Sequence, residues 1–232
     1  MKARTEKILF TAVKDFIKTG KNITSEGLFS RYNFGIKPAM IRWELNNLCQ
    51  LGYLYQPHHS SGRIPTNKAY RFFVSKILED QSTINISDEK FNDVINKFLN
   101  GEIKAFIEEL SNQLQLLSIG YKIKEKLFLS SGLFNLLKSL DLLDLDHKEI
   151  LSIVKDFEEI PQKISGDFFN DDLNWPKIFI GKNKFLRSDC VAVIADHFDF
   201  QDDGFLLLTI GPKRMNYTQP LTLFKLLDQS LK

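Results

Sequence analysis

Side chains that can hydrogen-bond to the edges of DNA bases are concentrated between residues 37 and 50. Side-chain amides pair bidentately with adenine, and arginine pairs with guanine or with phosphate. The set holds such groups beside a lysine and a few apolar residues, and its members are Lys37, Ala39, Met40, Arg42, Trp43, Asn46, Asn47 and Gln50. For Trp43 two interpretations stand: apolar contact with a thymine methyl or a sugar, or packing under a neighbouring hairpin or in a dimer contact. The chemistry expected of the set is recognition of duplex DNA.

A helix over residues 38–51 must present these groups. Pro38 favours a helix start because its missing N–H costs nothing at the first helical position, and Gly52 favours the end. At about 100° per residue, Ile41, Leu45 and Leu48 share one face, which must point to a core. The face opposite carries Trp43 and the amides, with Arg42 on the flank, so the set points outward. A merely solvated polar face is the plainer alternative.

A second polar cluster lies at the tip of a predicted hairpin. Residues 53–56 and 63–64 predict two short strands, and the cluster between them comprises His58, His59, Ser60, Ser61, Gly62 and Arg63. Hydroxyls, backbone N–H groups and one arginine suit phosphate contact or entry into the minor groove. An ordinary polar turn, with Gly62 present for backbone geometry, is the alternative. A metal site is not expected, because neighbouring histidines on a strand point oppositely and no third ligand stands nearby.

The elements around these clusters predict a winged helix-turn-helix domain over residues 1–80. A first helix with apolar residues at helical spacing ends at Gly20, and Thr24 or Ser25 caps a second. The 38–51 helix and the hairpin follow, and a fourth helix begins near Thr66. Three helices and then a hairpin is the winged-helix order, with a Gly-containing turn before the third helix.

The rest of the chain predicts an α+β fold. Residues 81–125 are expected to form a helical connector whose apolar stripes between 88 and 118 make a dimer contact. Residues 126–232 are expected to form a small C-terminal α+β domain, since Val-, Ile-, Leu- and Phe-rich strands alternate with amphipathic helices. The acidic stretch 196–204 is interpreted as a solvated hairpin turn, because its spacing does not fit a Ca²⁺ loop.

Two runs of residues resemble one known family. Residues 58–74, which begin His-His-Ser-Ser-Gly-Arg-Ile-Pro-Thr, are similar to the wing signature of the HrcA family of heat-inducible transcription repressors. Residues 211–217, Gly-Pro-Lys-Arg-Met-Asn-Tyr, resemble that family's Gly-Pro-x-Arg-Met-x-Tyr run. Ala39, Ile41 and Arg42 fall on its recognition-helix pattern, whereas Met40 and Trp43 depart from it.

This resemblance carries expectations about fold, function and partners. It implies a repressor that binds an inverted-repeat operator of chaperone genes as a homodimer. It further implies a GAF-like C-terminal regulatory and dimerisation domain, and a chaperonin as a partner. Members of the family are usually longer, with more GAF-like sheet and an inserted dimerisation module, so the C-terminal domain is expected to be a reduced one.

Charge and composition point the same way. The net charge of +2 is unevenly distributed along the chain. Positions 1–80 hold 13 basic and 6 acidic residues, and the remaining positions hold 18 basic and 23 acidic residues. A basic first third is typical of contact with a polyanion. No apolar run approaches the roughly 20 residues of a membrane helix, and two distant cysteines favour a reduced, cytoplasmic protein. No motif for catalysis or for a cofactor is found, so neither is expected. A winged helix that binds protein instead of DNA remains the alternative function.

Overall fold

The chain divides after Thr83 into two units, Met1–Thr83 and Ile84–Lys232. The computed structural model describes residues 1–58, 61–79, 89–141, 146–164 and 176–231. Unit 1 is mostly helical, and unit 2 is built on a five-stranded sheet with helices on both faces. The predicted mixed α+β class is therefore confirmed. Within the described ranges, none of the helices combines the length and apolar character needed to span a bilayer.

The described residues of unit 1 form four helices and a short hairpin, in the predicted order. The Thr24 hydroxyl accepts a hydrogen bond from the Gly27 N–H and so caps the second helix. Gly20 ends the first helix in the left-handed conformation, and Pro38 opens the third. The elements are α1 (Ala3–Thr19), α2 (Ser25–Arg31), α3 (Pro38–Gln50), β1 (Leu54–Tyr55), β2 (Ile64–Pro65) and α4 (Asn67–Glu79).

The core of unit 1 lies between α1, α3 and α4. Each helix contributes an apolar stripe at a spacing of three or four residues, as amphipathic helices do. All of these side chains are buried, and the set includes Ile8, Leu9, Val13, Ile41, Leu45, Leu48, Tyr70, Phe73 and Val74. The packing of Ile41, Leu45 and Leu48 fixes which side of α3 is turned outward.

Unit 2 is a sheet in the order β4-β3-β7-β6-β5, with every neighbouring pair antiparallel. A 3₁₀ turn at Glu89–Phe91 precedes its first helix. The elements are α5 (Asn92–Leu99), α6 (Ile103–Leu114), β3 (Leu117–Lys122), β4 (Leu127–Ser131), α7 (Leu133–Asp141), α8 (His147–Lys163), β5 (Lys177–Ile180), β6 (Val191–Phe200), β7 (Asp203–Pro212) and α9 (Thr218–Ser230).

Both faces of this sheet are covered. On one face, Ile119, Val193 and Leu208 pack with Leu136 of α7 and Ile153 of α8. On the other, a cluster of aromatic rings joins α5 and α6 to β6 and β7, with ring centroids of neighbours 4.5–6.5 Å apart; it comprises Phe98, Phe106, Phe198, Phe200, Phe205 and Phe224. Burial on both faces explains why β6 and β7 are almost continuously apolar.

The prediction of a separate connector over 81–125 is wrong. Helix α6 ends at Gln115, which adopts a left-handed φ of 55°, and Leu117–Lys122 is an internal strand paired with β4 and β7. Because Leu117 follows Leu110 and Leu114 at helical spacing, the sequence extended the helix through the turn. The apolar stripes of α5 and α6 are buried against the sheet of unit 2, with Phe98 and Phe106 fully covered, so they are not free to form a dimer contact.

The hairpin turn predicted over 196–204 is confirmed, with Asp199 and Asp202 exposed, but it is shorter than predicted. Strands β6 and β7 extend to a two-residue turn at Gln201 and Asp202, both with positive φ, as in the tight turns that suit antiparallel hairpins. Phe198 and Phe200 alternate with acidic residues, and their burial in the ring cluster holds the strand together. Asp196 is consequently only 6% exposed.

Candidate nucleic-acid interface

Two buried carboxylates attach α2 and α3 to α1. Asp15 accepts two hydrogen bonds from the Arg31 guanidinium, at 2.9 and 2.7 Å, and one from the Tyr32 hydroxyl at 3.1 Å. Hydrogen bonding to this carboxylate raises the pKa of Arg31, and burial followed by the bond to Asp15 raises the pKa of Tyr32. Charge-assisted, bidentate bonds of this kind fix geometry as well as adding stability.

The second carboxylate belongs to α3 itself. The Glu44 side chain, 1% exposed, accepts hydrogen bonds from Arg4 Nε at 3.1 Å and from the Thr5 hydroxyl at 2.9 Å. Glu44 lies three residues after Ile41 and four before Leu48, on the inward side of α3. These contacts lock the rotation of α3 against α1, and that rotation decides which side chains point outward.

We expect Glu44→Ala to destabilise unit 1 by about 1–3 kcal/mol, since the Thr5 hydroxyl loses its buried acceptor. Chemical unfolding followed by circular dichroism measures the change. Glu26→Ala is the matched control because Glu26 sits in an exposed ion pair, and its free energy of unfolding should remain nearly constant. Equal losses in the two variants would show that Glu44 does not anchor the helix.

The predicted outward face of α3 is exposed. Trp43 is 57% exposed, Met40 is 42% exposed, and Asn47 is half-buried; the fully exposed members are Lys37, Ala39, Arg42, Asn46 and Gln50. Trp43 therefore does not pack under the hairpin, and the interpretations that remain are apolar contact with DNA and a dimer contact. The face offers amide and guanidinium groups beside an exposed indole.

Arg42 is held by a partner from the neighbouring helix. Its Nη2 lies 2.6 Å from Glu26 Oε1, and both side chains are more than half exposed. The pKa of Glu26 is lowered by its own backbone N–H, by the Ser25 hydroxyl and by Arg42. An exposed pair of this kind is weak and can be exchanged for another anion. Arg42 is therefore available to a ligand but has a competing carboxylate beside it.

The hairpin approaches the segment before α2 closely. Ile23 and Arg63 exchange two backbone hydrogen bonds of 2.8 Å, which adds a bridge to the β1–β2 pair. A Cβ at Gly62 would lie 2.8 Å from both Asn22 Cβ and the Ile23 carbonyl oxygen. Gly62 is therefore needed for close approach of the two backbones, and it is buried.

The tip of the hairpin is closed by internal hydrogen bonds. The Ser61 hydroxyl accepts from the His58 N–H at 3.0 Å and donates to the His58 carbonyl at 2.8 Å, while Gln56 Nε2 donates to the Ser61 carbonyl. The Ser61 hydroxyl is thus turned inward, although a phosphate contact was expected of it. The predicted site residues His59 and Ser60 lie outside the described residues.

Arg63 is placed differently from its prediction as an exposed group at the tip. The residue is 9% exposed, and its Nη2 donates to Asn46 Oδ1 of α3 at 2.5 Å. Its Nε is buried without a hydrogen-bond partner among the described residues. The backbone bridge to Ile23 turns this side chain toward α3 and away from solvent. Arg63 therefore brings the hairpin and the outward face of α3 together.

Three further residues at this surface were not predicted from the sequence. Glu26 and Glu44 belong to neither of the two polar clusters that the sequence indicates. Tyr55 is 56% exposed, whereas its neighbour Leu54 is buried. Successive side chains of a strand point to opposite faces, so this alternation could have been predicted from the strand. Among the described residues, no group of three or more His, Cys, Asp or Glu side chains is arranged to hold a metal ion.

The class of protein defined by this architecture is a two-part α+β chain with a basic helical front unit and a sheet-based second unit. No family model matches the chain. Curated relatives named heat-inducible transcription repressor HrcA do match it. The protein of Caldanaerobacter subterraneus is 48% identical over 77 residues, which are 33% of this chain and 22% of that protein. The protein of Clostridium botulinum is 32% identical over 152 residues, 65% of this chain and 43% of that protein.

These matches confirm the resemblance to the HrcA family found in the hairpin motif. It spans between about a fifth and about two fifths of the length of these relatives. Among solved structures, the crystal structure of a hypothetical protein aligns over 100% of this chain and 97% of its own, with a TM-score of 0.78 and 17% identity. That likeness concerns the fold alone.

Proposed function

We propose that the chain is a sequence-specific, double-stranded DNA-binding transcription repressor. In this proposal unit 1 is a winged helix-turn-helix domain that inserts α3 into the major groove and rests the hairpin on the backbone. The observation that carries it is the outward face of α3, where Arg42 and three amides stand on a helix locked by Glu44. The relatives' name supports the assignment to repression.

The charges of the two units support the same proposal. Unit 1 holds 13 basic and 6 acidic residues, whereas unit 2 holds 18 and 23. Long-range attraction would therefore favour contact of a polyanion with the front unit over contact with the second unit. The residues proposed to meet DNA are Lys37, Ala39, Met40, Arg42, Trp43, Asn46, Asn47 and Gln50 of α3, and His58, His59 and Ser60 of the hairpin. Of the remaining predicted residues, Ser61 and Gly62 shape the tip, and Arg63 acts through Asn46.

The finer parts of the proposal come from the family. The target would be an inverted-repeat operator of heat-shock chaperone genes, bound in the cytoplasm by a homodimer, because two half-sites supply the affinity that one small domain lacks. Unit 2 would be the GAF-like regulatory and dimerisation domain, and a chaperonin would be its partner. Selection from random duplexes would return an inverted repeat, and sedimentation would show a dimer, if these parts hold.

The salt dependence of binding tests the proposal. We expect affinity for duplex DNA to fall steeply with salt, and Lys37→Gln to reduce the slope of log affinity against log salt by about one, since each phosphate contact contributes about 0.9. Lys155→Gln, at an exposed lysine of unit 2, is the control and should leave the slope unchanged. Gel shifts over a salt series measure both. A protein that ignores duplex DNA at low salt would overturn the proposal.

A second candidate function follows from the exposed apolar side chains of α3. Trp43 and Met40 are three residues apart and both stand out from the surface, as anchors of protein interfaces do. A winged helix that binds a protein would lose this binding on Trp43→Ala, yet it would show no preference among duplexes. Sequence selection from a random pool separates this candidate from the first.

A further inference from the structure

The contact between Arg63 and Asn46 determines what the exposed amide of Asn46 can offer. The Arg63 guanidinium carries only hydrogen-bond donors. An amide facing it must therefore turn its oxygen toward it, and Asn46 Oδ1 lies 2.5 Å from Nη2. Because Arg63 is 9% exposed, this donor is supplied from inside the unit and not from solvent.

Once its oxygen is engaged, the amide of Asn46 presents chiefly its Nδ2 hydrogens to the outside. Bidentate pairing with adenine needs a free amide oxygen for the adenine N6 amino group as well as a donor for N7. Arg63 takes one of the two lone pairs of the Asn46 oxygen and holds that oxygen toward the inside of the unit, so the amide turns its donor outward. Guanine presents two acceptors in the major groove, N7 and O6, and both match an amide donor. Adenine shares N7 but carries an amino donor at position 6, which does not match.

We infer that Arg63 is a positioning residue which fixes Asn46 as a hydrogen-bond donor, so that Asn46 selects guanine at one base pair of the bound site. This inference rests on the proposed function and adds a base preference to it. Arg63 acts without touching phosphate, and the sequence pattern alone had assigned it the opposite role. The unpaired, buried Nε of Arg63 shows that the guanidinium is held by its position in the fold, not by complete hydrogen bonding.

The test compares base preferences of the full chain and its variants, selected from a pool of random-sequence duplexes. For the native chain, replacing the selected guanine by 7-deazaguanine, which lacks the N7 acceptor, should weaken binding about tenfold. Asn46→Ala should lose the preference at that base pair, after which the analogue makes no further difference. Asn46→Ala also removes an acceptor from the buried Arg63, so circular dichroism and thermal unfolding are used to establish that the variant is folded.

Arg63→Met supplies the second arm, since it keeps an unbranched apolar stem and removes the hydrogen-bond donors. The amide of Asn46 is then free to pair bidentately, and the preference at that base pair should move from guanine to adenine. Preferences at other base pairs and the salt slope should stay as in the native chain, and Arg63→Lys should retain guanine. If Arg63→Met instead flattens the salt slope, Arg63 contacts phosphate and the inference is overturned.

The failure of this inference differs from the failure of the proposed function. A native chain that selects no duplex would overturn both. A native chain that selects a clear consensus, with every base preference retained in Asn46→Ala, would overturn the inference alone.

Discussion

Replacing Arg42 by alanine is expected to weaken binding to a selected duplex by about 1–3 kcal/mol, with a smaller loss on random duplexes. Arg42 stands at the exposed flank of α3, where a guanidinium reaches a guanine edge or a nearby phosphate. Its ion pair with Glu26 is exposed and is therefore given up at little cost. Titration of labelled selected and random duplexes gives the two affinities. An equal loss on both would assign Arg42 to the DNA backbone.

The neighbour of Arg42 provides the opposite test. Glu26→Gln removes a carboxylate that competes with DNA for Arg42 and that would repel phosphate, so this variant should bind duplex DNA more tightly than the native chain. Combining it with Arg42→Ala should abolish most of the gain, because the competition needs both side chains. Lys155→Ala, in unit 2, serves as the control for a general change in charge. Weaker binding by Glu26→Gln would mean that Glu26 holds Arg42 in its binding position.

Local patterns were sufficient to predict the presenting helix. Pro38, the apolar spacing of Ile41, Leu45 and Leu48, and Gly52 together located α3 and its outward face, since each signal acts within a few residues. The buried role of Glu44 was not predicted, although its position on the helix indicates it. It lies on the inward side of the same wheel, where a carboxylate must find a buried partner.

Non-local contacts account for what the sequence did not reveal. The backbone bridge between Ile23 and Arg63 spans 40 positions and turns the arginine inward, which no pattern around the hairpin tip indicates. Strand β3 was taken for helix because its leucines continue a helical spacing, and only its pairing with β4 and β7 makes it a strand. Tertiary pairing overrides local preference in such short segments.

Asp196 shows how far burial changed the expected behaviour of an acidic residue. Asp196 lies in β6 and is only 6% exposed. Its carboxyl group accepts one hydrogen bond, from the His197 N–H at 2.8 Å. Burial raises its pKa from 3.8 to about 7, the bond to His197 opposes this, and Asp228 of α9 adds to the rise. Burial penalises the charged form more than one backbone donor can compensate.

The pH dependence of stability follows from this shift. A carboxyl group whose pKa is raised in the folded state binds a proton that the unfolded chain releases, so stability is lost as the pH rises from about 4 through 7. Asp196→Asn, which cannot ionise, should therefore match the native chain near pH 4 and exceed it above pH 8 by roughly 4 kcal/mol, the value for a shift of about three units.

Urea unfolding of both chains across this pH range measures the difference. Asp199→Asn is the matched control, since Asp199 lies on the same strand with an exposed side chain, and it should follow the native curve closely. The pKa of the half-buried His197 is lowered by burial and raised in part by Asp199, so its titration is common to the native chain and Asp196→Asn, whereas in Asp199→Asn it proceeds without that carboxylate. If Asp196→Asn and the native chain run parallel from pH 4 to 8, the carboxylate of Asp196 is already ionised at low pH. The strand would then have to open enough at that position for water to reach it.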